Sequence, residues 1–152
     1  MGKSFIDLGG VNVTSNETTV VNPPRVRQIA AISKATFPNG LSVLPSTEAQ
    51  NLIVGDVKTG VMYSGEVETG EYAAIINNTY NAPAPTYGFG TAATDGIKVV
   101  SNESYFDVCG QGILVKLPLN AGNGKPAGDF EMVATNLKSF DQWDDFTFDC
   151  DM

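Results

Sequence analysis

Residues 61–76, VMYSGEVETGEYAAII, give the clearest indication of secondary structure in the chain. Residues that favour strands lie on both sides of Thr69-Gly70, since β-branched and aromatic side chains pack well on a pleated surface. Glycine supplies the positive φ that a tight turn requires. The pattern therefore predicts a β-hairpin that turns at Thr69-Gly70.

Turn residues cut the rest of the chain into similar short segments, at the spacing of about 8–12 residues that sandwiches and barrels show. A single helical turn is expected at 46–50, because Ser46 can cap it. The predicted strands are 26–32, 41–44, 51–54, 57–67, 97–100, 105–109, 113–117 and 130–135. The predicted fold class is all-β, a single antiparallel sandwich or barrel-like domain with an extended N-terminal arm and a C-terminal tail.

Composition agrees with one small β domain. The chain has 152 residues, enough for one core, and only 17% of them are charged, where about 25% is typical. The formal net charge of −8 repels phosphates, so we expect neither nucleic-acid nor anionic-membrane binding. No apolar run approaches the roughly 20 residues that cross a bilayer, and no signal peptide is recognisable, so synthesis in a host cytoplasm is expected.

The first residues are predicted to form an arm. Residues 15–19 are wholly polar, and Pro23 and Pro24 impose an extended backbone ahead of the basic Arg25 and Arg27. Such an arm can pair with a sheet edge of a neighbouring subunit, although a frayed terminus is the alternative. The predicted layout is an arm at 1–25, a β domain at 26–138 and an acidic, aromatic tail at 139–152.

The segment 77–96 lacks any hydrophobic period and is predicted to be a long functional loop. Tyr80, Tyr87 and Phe89, together with nearby asparagines, are typical of sugar-binding surfaces. Pro83 and Pro85 instead suit a stiff loop that reaches a neighbouring subunit. Both interpretations stay open at this point.

The tail carries four large rings, which can anchor a segment in a groove of its own chain, of a neighbour or of a partner. They are Phe140, Trp143, Phe146 and Phe148. Five aspartates lie between and beside these rings, but their spacing is not that of an EF-hand, so no metal site is expected. Cys109 and Cys150 are expected to be inert thiols, because neighbouring carboxylates raise a thiol pKa.

The chain contains no histidine, which removes the commonest general base and every triad built on imidazole. Paired carboxylates are the remaining catalytic option, with Glu66, Glu68 and Glu71 as the densest set. Glu66 and Glu68 lie beside the predicted hairpin turn, on a face that we expect to be solvated. The prediction is therefore no enzyme, no catalytic residue and no cofactor.

Three features of the sequence carry a resemblance to a known family. They are the extended start through Pro23-Pro24, the body rich in Gly, Asn and Thr, and the segments FPNGLSVLPS and AATDGIKVV. The chain resembles the small β-rich virion proteins of tailed bacteriophages, particularly capsid decoration or cement proteins. The resemblance implies a virion location and binding to the major capsid protein or other virion subunits, often as a homo-trimer. Tail or head-completion roles belong to the same class. The alternative function is a carbohydrate-binding or adhesive β module that uses the 77–96 loop.

Overall fold

The computed structural model describes residues 3–7, 11–13, 18–20, 25–45, 51–86, 90–101, 103–135 and 143–149. The chain divides into two compact units, Met1–Ser33 and Lys34–Met152. Each unit has strands of its own.

The first unit contains two antiparallel strand pairs. β1 (Lys3–Asp7) pairs with β4 (Arg25–Ala30), and β2 (Val11–Val13) pairs with β3 (Thr18–Val20). Arg25 and Arg27 lie in β4, whereas Pro23 and Pro24 lie outside the described residues. The described strands of this unit are paired with one another, and residues 15–17 of the polar stretch also lie outside the described residues. The boundary between arm and domain at residue 25 stays a prediction.

The second unit contains two four-stranded antiparallel sheets in which each strand pairs with the next in sequence. The first sheet consists of β5 (Pro38–Leu44), β6 (Asn51–Asp56), β7 (Met62–Glu66) and β8 (Tyr72–Ile76). The second sheet consists of β11 (Thr94–Val100), β12 (Glu103–Val108), β13 (Ile113–Pro118) and β14 (Glu131–Thr135). In the sequence, β8 is followed by a 3-10 turn (Thr79–Asn81), β9 (Ala84–Thr86) and β10 (Gly90–Ala92) before the second sheet begins. A second 3-10 turn (Cys109–Gln111) follows β12. The predicted all-β class is confirmed.

The hairpin predicted at 61–76 is also confirmed. Tyr63 lies opposite Ala74 in the β7–β8 pair, and Gly70 adopts a φ of 75° in the turn. The predicted strand 57–67 is shorter in the structure, because its first residues turn around the carboxylate of Asp56. That carboxylate accepts hydrogen bonds from the backbone N–H groups of Lys58 and Thr59, at 2.9 and 3.3 Å.

The hydrophobic core lies between the two sheets. β13 alternates between buried and half-buried residues, β6 is buried along its whole length, and buried side chains of both sheets form one cluster. The cluster comprises Leu44, Ile53, Met62, Ile76, Ile97, Phe106, Val108, Ile113, Val115, Leu117 and Leu119. Burial of these apolar side chains is the main force that holds the sheets together.

The prediction of a structureless loop at 77–96 is wrong for most of that segment. Polar side chains take the place of a hydrophobic pattern there: Asn78 caps the 3-10 turn, and the fully buried Asn81 donates to the carbonyl of Gly60. β11 begins at Thr94, three residues before the predicted start, because the polar Thr94 and Asp95 are buried. The helical turn predicted at 46–50 lies outside the described residues. Among the described residues, no helix has the length and apolarity to cross a membrane.

Candidate functional site

Four aspartates come together where β11 begins, β12 ends and the C-terminal segment, residues 143–149, crosses the second sheet. We call Asp95, Asp107, Asp144 and Asp145 the carboxylate cluster. Asp95 and Asp107 are buried strand residues, whereas Asp144 and Asp145 are exposed residues of the C-terminal segment. Within the described residues, no three acidic or cysteine side chains are placed to hold a metal ion.

Asp107 lies on the face of the second sheet that points away from the core. Its strand neighbour Phe106 is a core residue, so Asp107 and Tyr105 project from the opposite side, as does Lys98, the cross-strand partner of Tyr105. We call this side the outer face. It is covered in part by the C-terminal segment, and Asp107 has no exposed surface.

Only one of the two oxygens of the Asp107 carboxylate has a hydrogen-bond partner among the described residues. Its Oδ1 accepts a hydrogen bond from the backbone N–H of Gly96 at 2.6 Å, while its Oδ2 has no partner among the described residues. A Cβ at Gly96 would clash with Asp107 Oδ1 and would lie 2.7 Å from Asp145 Oδ1. Glycine at this position therefore permits the close approach of two carboxylates.

Burial and like charge favour the protonated form of the two inner aspartates. Burial raises the pKa of Asp107 to about 7, and the charge of Asp95 adds to this effect. Burial also raises the pKa of Asp95 to about 6, with further contributions from the charge of Asp144 and a side-chain hydrogen bond with it. Burial and the nearby carboxylates raise the pKa of Cys109 to about 11, so this thiol is inert, as the sequence predicts.

The C-terminal segment contacts the outer face through one ion pair and two aromatic rings. Asp145 Oδ1 lies 2.7 Å from Lys98 Nζ, which also lies 5.7 Å from the ring centroid of Phe146. The rings of Phe148 and Tyr105 meet edge to face, with centroids 4.7 Å apart. Trp143, Phe146 and Phe148 are all half-buried, and Phe140 lies outside the described residues. The sequence left open whether the tail packs on its own chain, on a neighbour or on a partner. The described part of the tail packs on its own chain.

Two of the three candidate glutamates, Glu66 and Glu71, line an open cleft of about 330 Å³ at the end of the first sheet. Asn51, Ser64 and Glu66 share one strand face by their register, and Glu66 accepts a hydrogen bond from Thr69 Oγ1 at 2.8 Å. The polar lining of this cleft is Asn51, Ser64, Glu66, Glu71, Asn123 and Lys125. Sequence reasoning missed the asparagines and the lysine, which come from distant parts of the chain.

Of the residues predicted for the 77–96 loop, Tyr80, Pro83 and Pro85 lie in the described part of the chain. Tyr80 stacks on Phe130 of the same chain, with centroids 5.3 Å apart and an interplanar angle of 15°. Pro83 is exposed and Pro85 lies in β9 opposite Thr91, while Tyr87 and Phe89 lie outside the described residues. The structure thus gives Tyr80 an intramolecular partner.

Strand β14 is an exposed edge of the second sheet. It pairs with β13 on one side, and no described strand pairs with its other side. All five of its residues are exposed, including Met132 at 55% and Val133 at 47%. The sequence predicted a strand at 130–135, which matches β14. It did not predict that this strand is exposed.

No known protein family and no curated protein matches the chain. One similar solved structure is the PQQ-bound form of aldose sugar dehydrogenase from Streptomyces coelicolor, with a TM-score of 0.53 and 16% identity. The match covers 90% of this chain and 35% of that protein, so the chain spans about a third of its structural neighbour. At this identity, the likeness concerns the fold.

This neighbour corrects the prediction that the chain is not an enzyme. That prediction rested on the absence of histidine and of known catalytic motifs, whereas the neighbour is an enzyme that shares the fold of this chain. A small β fold that lacks familiar motifs is therefore no argument against catalysis. No catalytic residue or cofactor transfers from the neighbour at this level of identity.

Proposed function

We propose that the protein is a structural subunit of a virus particle that binds a capsid surface and stabilises it, as decoration or cement proteins do. The observation that carries the proposal is the exposed edge strand β14. Natural sheet edges are usually protected by charge, proline, a bulge or a covering segment, because unpaired backbone groups recruit other strands. β14 has the charged Glu131 and a register shift against β13 between Met132 and Ala134, but it still exposes the large apolar side chains of Met132 and Val133.

Addition of a partner strand is the mode of binding that such an edge supports. Backbone hydrogen bonds along β14 would provide affinity, and its alternating side chains would fill pockets on both sides of the extended sheet. The partner is the major capsid protein or another virion subunit, including a second copy of this chain. A stable contact has to bury about 1,000 Å² or more, so surface beyond β14 would also have to contribute.

The capsid as the target is supported by the sequence resemblance and by charge. A net charge of −8 suits the outside of a particle, away from packaged nucleic acid. Exposed apolar surface on an otherwise acidic protein also marks a site of protein contact.

Co-sedimentation with capsids tests the proposal. Capsids assembled from the major capsid protein of the same genome are mixed with wild-type protein, with Val133→Lys and with the control Ala127→Lys, which introduces the same charge at an exposed position outside the strands. We expect wild type and the control to pellet with capsids and Val133→Lys to bind at least about tenfold more weakly, since a lysine on the edge opposes strand addition. Equal binding by all three, or none by the wild type, would contradict the proposal.

A second candidate function, binding of a carbohydrate, is favoured by the polar cleft. The amide of Asn51 can donate to and accept from hydroxyl groups, and the carboxylate of Glu66 can accept from them. The cleft volume lies at the lower end of the range for small-molecule sites. The structural neighbour carries aldose sugar in its name. Retention on immobilised glycans, lost in Asn51→Ala, together with indifference to capsids, would favour this candidate over the first.

A further inference from the structure

We propose that the C-terminal segment is a proton-controlled latch, in which a proton held between Asp95 and Asp144 keeps the segment on the outer face of the second sheet, and loss of that proton loosens it. The inference concerns contacts within the chain and does not depend on the proposed function.

The pair of carboxyl groups requires a proton. A side-chain hydrogen bond with Asp144 is one of the causes that raise the pKa of Asp95, after burial and the charge of Asp144. An ionised carboxylate only accepts hydrogen bonds, so one of the two groups has to be protonated for the bond to form. Asp95 is the group whose ionisation burial disfavours, hence it donates and the exposed Asp144 accepts. An amide of the sheet, Asn39 Nδ2, donates to Asp95 Oδ1 and fixes the orientation of this carboxyl group.

Among the described residues, no other group is placed to neutralise the Asp95–Asp144 pair in place of the proton. The titratable groups that face the cluster are Asp95 and Lys98 of β11, Asp107 of β12, Cys109 of the following 3-10 turn, and Asp144 and Asp145 of the C-terminal segment. The ammonium group of Lys98 is engaged by Asp145. Four carboxyl groups therefore face one described cation.

Asp107 provides a second, independent sign that the cluster is built around protons. Its side chain is fully buried, and its Oδ2 has no partner in the described part of the chain. An ionised Asp107 would leave a charged, unpaired oxygen under the segment, which is costly. Protonation removes that charge, and it also removes the repulsion between Asp107 and the carboxylates of the segment.

The direction of the pH effect follows from these environments. The pKa values of Asp95 and Asp107 are raised to about 6 and about 7. The protonated form stabilises the docked segment, so this contribution is complete below the ordinary value of 3.8 and is lost as the pH rises through 6 to 7. The Lys98–Asp145 ion pair and the Phe148–Tyr105 contact do not change in this range. The segment is therefore weakened at high pH, and its aromatic rings become more available to a partner.

Trp143, the one tryptophan of the chain, lies in the segment and reports on it directly. We expect the fluorescence emission of Trp143 to shift towards the red between pH 5 and pH 8.5, with a midpoint between 6 and 7, in buffers that contain a chelator. Chymotrypsin should cleave within 143–149 about tenfold faster at pH 8 than at pH 6, after normalisation to a free peptide of residues 139–152. One pKa unit corresponds to a factor of about ten in the docking equilibrium.

Two variants and a matched control decide the matter. Asp95→Asn and Asp144→Asn each supply a neutral amide in place of the shared proton, so the segment should stay docked at pH 8 and the transition should flatten. Asp149→Asn changes the same charge at an exposed position of the segment and should keep the wild-type transition. Asp144 is also exposed, so its replacement should not impair folding, which circular dichroism can verify. A flat wild-type profile would overturn the latch, as would Asp95→Asn and Asp144→Asn variants that titrate like Asp149→Asn.

Discussion

The two sheets of the second unit each contain a fully buried aspartate, but the surroundings favour opposite charge states. In the first sheet, Asp56 accepts four hydrogen bonds from the backbone N–H groups of Thr36, Phe37, Lys58 and Thr59, at 2.6 to 3.3 Å. Burial alone would raise the pKa of Asp56, but these donors outweigh burial, so the pKa lies below its ordinary value. This carboxylate is ionised and structural.

In the second sheet, Asp107 accepts one backbone hydrogen bond, from Gly96, and it lies near other carboxylates. Its pKa is raised to about 7 by burial and by the charge of Asp95. Equal burial of the same residue type therefore does not fix the charge state. The number of N–H groups that donate to the carboxylate and the sign of the neighbouring charges determine the charge state.

The largest expected effect comes from removing the carboxylate of the first sheet. Asp56→Ala leaves four backbone donors without their acceptor, and hydrogen bonds to charged groups contribute about 1.5–3 kcal/mol each. We expect the free energy of unfolding at pH 7 to fall by about 3 kcal/mol or more in urea denaturation. The stabilisation by Asp56 is present above pH 3.8 and is lost as the pH falls further, so the deficit should shrink in acid.

Asp129→Ala is the control for that variant, since Asp129 is exposed and its replacement should change stability by less than about 0.5 kcal/mol. Similar stabilities of the two variants at pH 7 would show that the backbone donors around Asp56 do not depend on its charge.

The second effect has the opposite sign. Asp107→Asn removes a buried group whose pKa is raised from 3.8 to about 7, so the stability of wild type relative to the variant should fall by roughly 2 to 3 kcal/mol between pH 5 and pH 8. Thermal unfolding at the two pH values measures the difference. A stability difference that is the same at both pH values would mean that folding does not raise the pKa of Asp107.

The smallest effect concerns the space between the carboxylates. Gly96→Ala places a Cβ against Asp107 Oδ1 and Asp145 Oδ1, so it should cost about 1–2 kcal/mol and speed cleavage of the C-terminal segment. Gly122→Ala is the matched control, because the nearest atom to its Cβ would be Asn120 Oδ1 at 3.4 Å. Indistinguishable variants would show that the approach of the two carboxylates is looser than the structure gives.

The sequence predicted the parts of the fold that local chemistry determines. Thr69-Gly70 identified the hairpin because a turn and its flanking strands are neighbours in sequence. The carboxylate cluster was missed because Asp95, Asp107 and Asp144 meet only after the sheet has formed and the C-terminal segment has docked. One signal was present: Asp107 stands within the apolar strand segment YFDVC, where an aspartate is unusual.

The prediction for residues 77–96 was wrong for a related reason. Its order comes from Asn78 and Asn81, whose side chains bind backbone groups, and such hydrogen bonds leave no hydrophobic period for a sequence to show. The tail rings were recognised as anchors from their spacing alone, but the identity of their groove required the contacts of Phe148 and Lys98.

Site-resolved titration of the aspartate carboxyl carbons by NMR tests the contrast between the sheets most directly. From pH 3 to pH 9, the carboxyl signal of Asp107 should titrate near 7 and that of Asp95 near 6, whereas Asp56 should stay ionised throughout the range above 3.8. Titration of Asp107 below pH 5, or of Asp56 above it, would contradict the account.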